Sequence, residues 1–470
     1  MRLALRLRTF SFDVILFGGK AFFVYLNTGL IVFLMETSII IYEHIWCFAL
    51  VIAVVGAIFY FIRVLKTSYC GEDENCEYIG KFYEKGEPSF RLKPQKNELK
   101  PILILIGIYF AVRISTTALA FVIKSVIAEG YTFKLTDLFV ELTKWDSHHY
   151  IGIAEKGYQN EGDPRFHIVF YPLYPLIVRG LSYLFGGSVR VAAFVEPNIF
   201  MALSIAVMYK LLRIDFSQKT TITAILLLIF NPFAFFFSLP FTESTFLFLS
   251  LLFMFMLKKE NWLAAGICGF FAALTKNFGL IFIIPYGVHL ITVACKRHYK
   301  AKDFISKLLP AFLVLAGFGV YLIINKVVTG NWFQFMIYQK EHWYNEISCI
   351  LKNVTNHFRW FISENTSPDK KWFLWFGNVS AAVLTMTAVF IKHKKMPFLY
   401  NIYALAYLFL TLTVSWLLSG ARYLMASFPA YIAYALALDD YKWLRWTVIA
   451  VEYILGIAVM TAFLMNAYIM

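Results

Sequence analysis

The sequence carries little charge. Only 15% of its 470 residues are Asp, Glu, Lys or Arg, whereas soluble domains carry about 25%. Sixty per cent are hydrophobic, the mean hydropathy is +0.65, and several apolar runs reach the roughly 18 residues that mark a membrane-spanning helix. A soluble globular domain is therefore excluded. No segment alternates as barrel strands do, so the spanning segments must be helices, whose backbone polar groups are satisfied internally.

Two further absences narrow the function. The chain has no Walker-type glycine loop, which argues against an ATP-driven pump. It has only six cysteines, and the two that lie close together, in CGEDENC at 70–76, match no strong zinc pattern. The cysteines are therefore interpreted as free thiols.

Basic residues outnumber acidic ones, 43 to 29, which gives a formal net charge of +14. In a membrane protein Lys and Arg collect in cytoplasmic loops, so this excess does not indicate a nucleic-acid partner. A basic surface also suits anionic membrane lipids or a phosphate-bearing substrate.

The apolar runs predict an all-α polytopic membrane protein with about 13 transmembrane helices. The stretch 169–186 is apolar too, but the basic loops share one face only if it does not cross, so it is predicted to be re-entrant or interfacial. This topology puts the N-terminus in the cytoplasm and the C-terminus outside. The predicted spans are 13–34, 45–65, 101–124, 191–212, 220–238, 243–257, 262–275, 278–294, 308–327, 372–391, 398–418, 423–438 and 445–468.

Three regions follow along the chain. Residues 1–66 form a predicted transmembrane hairpin, and their basic start MRLALRLRTF lacks a small-residue cleavage site, which indicates an uncleaved anchor. Residues 67–100 mix Lys, Glu, Gly and Pro and form a predicted cytoplasmic linker. Residues 101–470 form the core, with outer loops 125–190 and 328–371. The polar motifs of the core all fall on the extracytoplasmic face.

The most polar of these motifs is WDSHHYIGIAEKGY, at 145–158. The surrounding pattern predicts one amphipathic helix over 137–156, ended by Gly157. Asp146 shares a face with His149 and Tyr150, because residues three and four apart are neighbours on a helix. We interpret Asp146 as a catalytic carboxylate, the alternative being a solvated carboxylate in a loop. A metal site from Asp146, His148 and His149 is a weaker alternative, since adjacent histidines point to different faces.

Three more charged residues begin or end apolar segments. Glu243, in FTES, lies at a predicted helix start, where a carboxylate caps the helix dipole or serves a site. Lys276, in LTKN, lies between two short apolar helices and requires a partner, either a phosphate or a carboxylate such as Glu243. Arg422, in SGAR, either binds phosphate through its fork of donors or reaches to the membrane interface.

The order of these motifs resembles that of the PIG-V mannosyltransferase family, which includes the eukaryotic GPI mannosyltransferase 2 and prokaryotic relatives. The similar segments are WDSHHYIGIAEKGY, FYPLYPLIVRG, PFTESTFLFLSL, LAAGICGFFAALTKNFGL and SGARYLMASFPAY, between about 100 and 435. In FYPLYPLIVRG the prolines start a helix from an extended entry, which forms either a structural corner or the wall of a lipid groove.

The resemblance implies a GT-C-type multi-helix bundle. Such an enzyme uses a polyprenyl- or dolichyl-phosphate sugar at the outer or lumenal face, and an acid in its first outer loop, here Asp146, serves the chemistry. Lys276 departs from the family pattern, because relatives often carry Arg there and bidentate geometry is lost. The hairpin 1–66 precedes the matched core.

The predicted reaction is inverting sugar transfer to a hydroxyl of a lipid or glycan acceptor. Asp146 is the predicted general base, and Arg422 or Lys276 the predicted stabiliser of the departing lipid phosphate. His149 is predicted to orient Asp146 or to bind sugar, and Trp145 and Tyr171 to stack on the sugar or line the lipid groove. The remaining predicted substrate-binding residues are His148, Tyr150, Glu155, Glu243 and Tyr423.

Some alternatives stay open from sequence. The sugar, mannose, follows from the family name alone, and a divalent metal requirement is undecided. The expected location is the plasma membrane in a prokaryote and the endoplasmic reticulum in a eukaryote. The rivals are a non-catalytic lipid or polysaccharide transporter and a GT-C enzyme with another sugar or a protein acceptor.

Overall fold

The computed structural model describes residues 98–128, 130–391, 395–415 and 419–469. The predicted hairpin 1–66, its spans 13–34 and 45–65 and most of the predicted linker 67–100 lie outside the described residues. Within the described residues the chain is helical, and the one β-bridge joins Ile347 and Val414. The all-α class predicted from composition is thus confirmed.

Eighteen α-helices are present in the described part of the chain, numbered α1 to α18. In chain order they are Leu99–Ile127, Leu138–Leu142, Asp146–Lys156, Leu173–Ser182, Val189–Asp215, Gln218–Phe230, Glu243–Lys258, Trp262–Ala273, Ile283–Arg297, Ala301–Leu308, Phe312–Thr329, Gln334–Trp343, Ile350–Ile362, Gly377–Ile391, Phe398–Leu412, Gly420–Leu424, Phe428–Leu438 and Lys442–Leu464.

Six helical segments of the described residues are long and apolar enough to cross a membrane, or seven if one bent pair is a single span. The six coincide with predicted spans. The other five predicted spans in this part of the chain are shorter helices, so the total of 13 crossings stays a prediction. The six are Leu99–Ile127, Val189–Asp215, Asn277–Arg297, Ala301–Thr329, Lys370–Ile391 and Lys442–Leu464.

The bent pair lies where a re-entrant or interfacial segment was predicted. Residues Asp163–Val169 and Leu173–Phe185 are helical and meet at 112°. The bend falls at Phe170 to Pro172, and Pro172 immediately precedes α4. The geometry fits a broken span or a re-entrant loop, and proline explains the helix start after an extended entry.

Two predicted elements differ from the structure. In the region of the predicted span 220–238, the α-helix ends at Phe230, and a short 3₁₀ helix, Ala234–Ser238, follows. The predicted helix 137–156 is broken, because a 3₁₀ turn and the short α2 precede a break at Thr143 to Trp145, and α3 begins at Asp146. The predicted end at Gly157 is confirmed, with φ 77°.

Small residues let α8 and α11 approach closely. A Cβ built on Gly317 would lie 2.2 Å from the carbonyl oxygen of Phe270, and one on Gly266 would lie 2.2 Å from that of Pro310. Such contacts between backbones are typical of helix packing in membranes, where small residues replace the hydrophobic driving force. This packing fixes the end of α8, from which the Lys276 turn leaves.

Candidate active site

Four charged side chains from four separate motifs meet in one place. Arg422 donates from Nη2 to Asp146 Oδ2 at 2.6 Å, and its Nε lies 3.2 Å from Glu243 Oε1. Lys276 donates from Nζ to the same Glu243 oxygen at 2.6 Å. We call these four residues the charge cluster. Its two cations and two carboxylates have a formal sum of zero.

The charge cluster is buried at one end and open at the other. The side chains of Glu243 and Arg422 are 1% and 3% exposed, whereas that of Asp146 is 23% exposed. Buried charges are stable only when they are paired and hydrogen-bonded. Asp146 is therefore the most accessible member of the cluster.

Both carboxylates occupy the first residue of a helix. Asp146 begins α3 and Glu243 begins α7. The positive end of a helix dipole favours an anion there. The predicted placement of Glu243 at a helix start is confirmed, and the predicted placement of Asp146 inside a longer helix is wrong.

The break before Asp146 leaves a strained residue. Trp145 has φ 54° and ψ −129°, a conformation uncommon for a residue other than glycine. Its indole packs against Tyr468 with ring centroids 5.7 Å apart. Backbone strain of this kind persists only where surrounding contacts hold it, and it is concentrated at functional sites.

Lys276 lies in a tight turn that requires glycine. The residue is extended, with φ −157°, and a 3₁₀ helix, Asn277–Phe282, follows it. A Cβ on Gly279 would lie 2.3 Å from the backbone of Ala272, so no side chain fits. The turn is also tied to the start of α4, because Leu173 donates its backbone N–H to the carbonyl of Leu274 at 3.0 Å.

Arg422 is carried by the five-residue helix α16. The backbone N–H of Ala421 donates to Asn378 Oδ1 at 2.9 Å, which anchors this helix to α14. Burial lowers the pKa of Arg422, but the carboxylates of Asp146 and Glu243 outweigh burial and raise it above its usual value. Arg422 is therefore charged, although almost no water reaches it.

Three polar atoms of the buried end have no hydrogen-bond partner within the described part of the chain. They are Nε and Nη1 of Arg422 and Oε2 of Glu243. Lys276 lies 4.8 Å from the ring centroid of Tyr423, and burial lowers its pKa while Glu243 offsets part of that effect. A free arginine N–H beside a lysine is a ready donor to an incoming anion.

His149 contacts aromatic rings, and within the described part of the chain it makes no hydrogen bond to Asp146. Its imidazole stacks on Phe170 at 4.6 Å and meets His167 edge-on at 5.1 Å. Burial lowers its pKa, which the charge of Asp146 opposes. The hydrogen-bond partner of Asp146 among the described residues is Arg422. The predicted roles of His149, to orient Asp146 or to bind sugar, stay predictions.

Three of the other predicted site residues are tyrosines that are buried or half-buried, and two, His148 and Glu155, are exposed. Tyr423 contacts the charge cluster, and Tyr150 packs beside it between Phe170 and Tyr174 at 5.2 and 5.3 Å. Tyr171 is buried and stacks on Tyr321 at 4.1 Å.

His148 and Glu155 are exposed, and Glu155 lies near the far end of α3. Asp146, His148 and His149 were the weak metal candidates. No group of three or more His, Cys, Asp or Glu side chains placed to hold a metal ion occurs among the described residues.

The sequence pattern did not identify Lys144 or Gly279, the glycine in the turn that carries Lys276. Lys144 donates to three acceptors at the end of α18. Nothing in the local pattern marks it, because its partners lie about 320 positions away. Gly279 stands within the quoted segment ALTKNFGL, and only the close approach of Ala272 reveals why a glycine is needed there.

An apolar groove begins beside the break that precedes Asp146. It has a volume of about 720 Å³ and lies between α1, the segment 369–373 and α18. Asn466, one of its lining residues, accepts the hydrogen bond from Lys144 at 2.6 Å. The remaining lining residues are Ile123, Ile127, Asp369, Phe373, Ile454, Ile457, Ala458, Thr461, Ala462, Met465 and Ala467.

Two solved structures that are similar to this chain are ArnT and AglB. ArnT from Cupriavidus metallidurans bound to undecaprenyl phosphate is 14% identical, with a TM-score of 0.47 over 76% of this chain and 63% of that chain. The oligosaccharyltransferase AglB from Archaeoglobus fulgidus, in complex with an inhibitory peptide and a dolichol-phosphate, is 12% identical, with a TM-score of 0.40 over 75% and 56%. The chain spans less than two thirds of the length of each.

No curated protein sequence matches the chain significantly. Residues 170–324, about a third of the chain, match the family model of the dolichyl-phosphate-mannose-protein mannosyltransferases. Glu243 and Lys276 lie within the matched segment. This segment is thus similar to a family of mannosyltransferases, and the resemblance to the PIG-V family stays a prediction.

Proposed function

We propose that the protein is a GT-C-type membrane enzyme that transfers a sugar from a polyprenyl- or dolichyl-phosphate donor to an acceptor hydroxyl with inversion. The observation that carries this proposal is the charge cluster. It places one accessible carboxylate, Asp146, beside two buried cations. A base and an anion site in contact are what such a reaction needs.

The cations are assigned to the donor phosphate. Arg422 has a free N–H at Nη1, and Lys276 lies on the other side of Glu243. When the bond to the sugar breaks, negative charge develops on the lipid phosphate, and preorganised cations stabilise it. Glu243 keeps both cations charged and fixed in the absence of the donor.

Asp146 is assigned as the general base. Arg422 binds its Oδ2, and we assign its Oδ1 to the acceptor hydroxyl. The acceptor oxygen attacks the anomeric carbon and gives its proton to Asp146, while the carbon–oxygen bond to phosphate breaks and the lipid phosphate leaves with the electron pair. One displacement of this kind inverts the anomeric configuration.

The lipid chain of the donor is assigned to the apolar groove. The groove opens between predicted membrane-spanning helices, and Asn466 connects its wall to the turn before Asp146. An isoprenoid chain in the groove keeps its phosphate near that turn. We place the reaction on the extracytoplasmic or lumenal face, because the basic loops are predicted to lie on the other side.

Among the aromatic candidates for sugar contact, His149 is the best placed. Tyr171 is covered by Tyr321, and Trp145 packs on Tyr468. His149 is half-buried, and its imidazole nitrogens have no hydrogen-bond partner among the described residues. A neutral imidazole offers one donor and one acceptor to sugar hydroxyls. Mannose is the proposed sugar, since both the sequence resemblance and the matched family describe mannosyltransferases.

The test is a transfer assay. Purified protein receives radiolabelled polyprenyl-phosphate-mannose and membrane lipid extract, with and without EDTA, and the product configuration is determined by NMR. We expect label in a new product with inverted configuration. Retained configuration contradicts a single displacement, and no transfer from any donor in a panel of lipid-phosphate sugars contradicts the function. EDTA sensitivity shows a metal requirement.

A further inference from the structure

Lys144 joins two distant parts of the chain. Its Nζ donates to the carbonyl oxygens of Phe463 and Leu464 at 3.1 and 2.8 Å, and to Asn466 Oδ1 at 2.6 Å. These acceptors lie at the C-terminal end of α18. The last carbonyls of a helix lack intrahelical partners, and a lysine there satisfies them and suits the helix dipole.

We call the three hydrogen bonds of Lys144 the anchor. Lys144 lies two residues before the proposed base, Asp146. Trp145, which follows Lys144, has the strained φ of 54° and packs on Tyr468 from the same C-terminal segment. On the other side of Asp146, Ser147 donates its hydroxyl to the carbonyl of Lys144 at 2.5 Å. The turn from Lys144 to Ser147 is thus held at both ends, and Asp146 has little freedom to move.

We propose that Lys144 is a positioning residue, which fixes Asp146 against Arg422 by tying the turn to the end of α18. This inference rests on the proposed function for its catalytic meaning, but the anchor itself does not. Without Lys144, three acceptors lose their donor, and the strained Trp145 keeps its contact with Tyr468 but loses the hydrogen bonds that fix the preceding residue. Asp146 is then free to leave its position, whereas the buried cations that are assigned to the donor are untouched.

The surroundings of Lys144 make the anchor sensitive to pH. Burial lowers its pKa to about 8, with a further lowering by Lys124 that Glu141 opposes. Lys124 and Glu141 pair with each other at 2.8 Å. Above this pH the amine is neutral and has two N–H donors for three acceptors. We therefore expect the anchor to loosen as pH rises through about 8.

The experiment compares Lys144→Met, Lys144→Arg and Lys326→Met with the wild type. Lys326 donates to the carbonyl of Gly330 at 2.7 Å, so it is a matched control that also binds a helix-end carbonyl. Hydrogen–deuterium exchange of the 143–150 segment measures the anchor without any activity. Turnover and donor affinity, each against pH, measure its catalytic consequence.

In Lys144→Met we expect faster exchange at 145–149, a fall in kcat of about 10- to 100-fold and unchanged donor affinity. Lys144→Arg should keep slow exchange and most of kcat. Its kcat should not fall as pH rises through about 8, because arginine stays charged. Lys326→Met should match the wild type. If Lys144→Met does not fold, Asn466→Gly removes one acceptor and tolerates the observed φ of 63°.

Unchanged exchange and unchanged kcat in Lys144→Met overturn the inference. So does a loss of donor affinity equal to the loss of kcat, because that shows general disruption. Faster exchange in a protein that shows no transfer at all leaves the anchor standing and refutes the proposed function instead.

Discussion

Removal of Lys276 breaks a buried ion pair of the charge cluster, its pair with Glu243. Its Nζ lies 2.6 Å from Glu243, whose side chain is 1% exposed. Lys276→Met leaves that carboxylate with Arg422 Nε, at 3.2 Å, as its nearest remaining cation. Breaking a buried ion pair by removing one partner costs about 3–5 kcal/mol.

The loss should be visible in thermal unfolding in detergent. Unfolding entropy is about 2.1 cal/mol/K per residue, or roughly 1 kcal/mol/K for a chain of this length, so the expected fall in Tm is about 3–5 °C. The double variant Lys276→Met with Glu243→Gln removes both charges. It should recover more than half of that loss, because no unpaired carboxylate is left buried.

Donor affinity provides the second readout. Lys276→Met changes the formal charge of the cluster from zero to −1, so the Kd for polyprenyl-phosphate-mannose should rise about tenfold or more. The control is Lys258→Met. Lys258 pairs with Asp215 at 2.7 Å with side chains 8% and 10% exposed, so this variant should lose similar stability and keep donor affinity.

Two results would refute this reasoning. If the double variant is as unstable as Lys276→Met alone, Glu243 and Lys276 do not form the stabilising pair that the structure shows. If Lys258→Met weakens donor binding as much as Lys276→Met does, the affinity loss reports general destabilisation and the charge cluster is not the phosphate site.

The remaining predictions concern other parts of the site. Arg422→Lys keeps the charge but loses the planar fork, so kcat/KM in the transfer assay should fall about 100- to 1000-fold with folding retained. Gly279→Ala pushes a Cβ into the Ala272 backbone; calorimetry should show a loss of about 1–3 kcal/mol, and donor affinity should fall because the Lys276 turn moves. His149→Phe keeps the aromatic packing and removes the nitrogens, so the KM for the sugar donor should rise without a change in Tm. Because burial lowers the pKa of His149, transfer should fall as pH drops through a value below 6.5, and this acid limb should be absent in His149→Phe.

The members of the charge cluster were predictable from sequence, and their contacts were only partly so. Glu243, Lys276 and Arg422 are marked because charge at the edge of an apolar segment is expensive. The pairing of Lys276 with Glu243 was one of two predicted roles and is present in the structure, and phosphate binding by Lys276 stays a prediction. The contact between Asp146 and Arg422 spans 276 positions, and no local pattern carries information about it.

The broken helix before Asp146 shows why local periodicity misleads. Residues 137–156 have a pattern suitable for one amphipathic helix, and the structure stops it at Thr143. The cause is tertiary: Lys144 reaches the end of α18, and Trp145 adopts a conformation that no helix contains. Local preference yields to such contacts when they are numerous. The placement of Asp146 at a helix start could therefore not be predicted.

The central claim is that Asp146 accepts the acceptor's proton while other residues bind the donor. Transfer and donor binding should be measured together in Asp146→Asn, with Asp215→Asn, a buried ion-paired carboxylate outside the cluster, as the control. We predict that Asp146→Asn binds polyprenyl-phosphate-mannose at least as well as the wild type, and that its transfer rate falls about 100- to 10,000-fold. Transfer near the wild-type rate in Asp146→Asn would contradict the account.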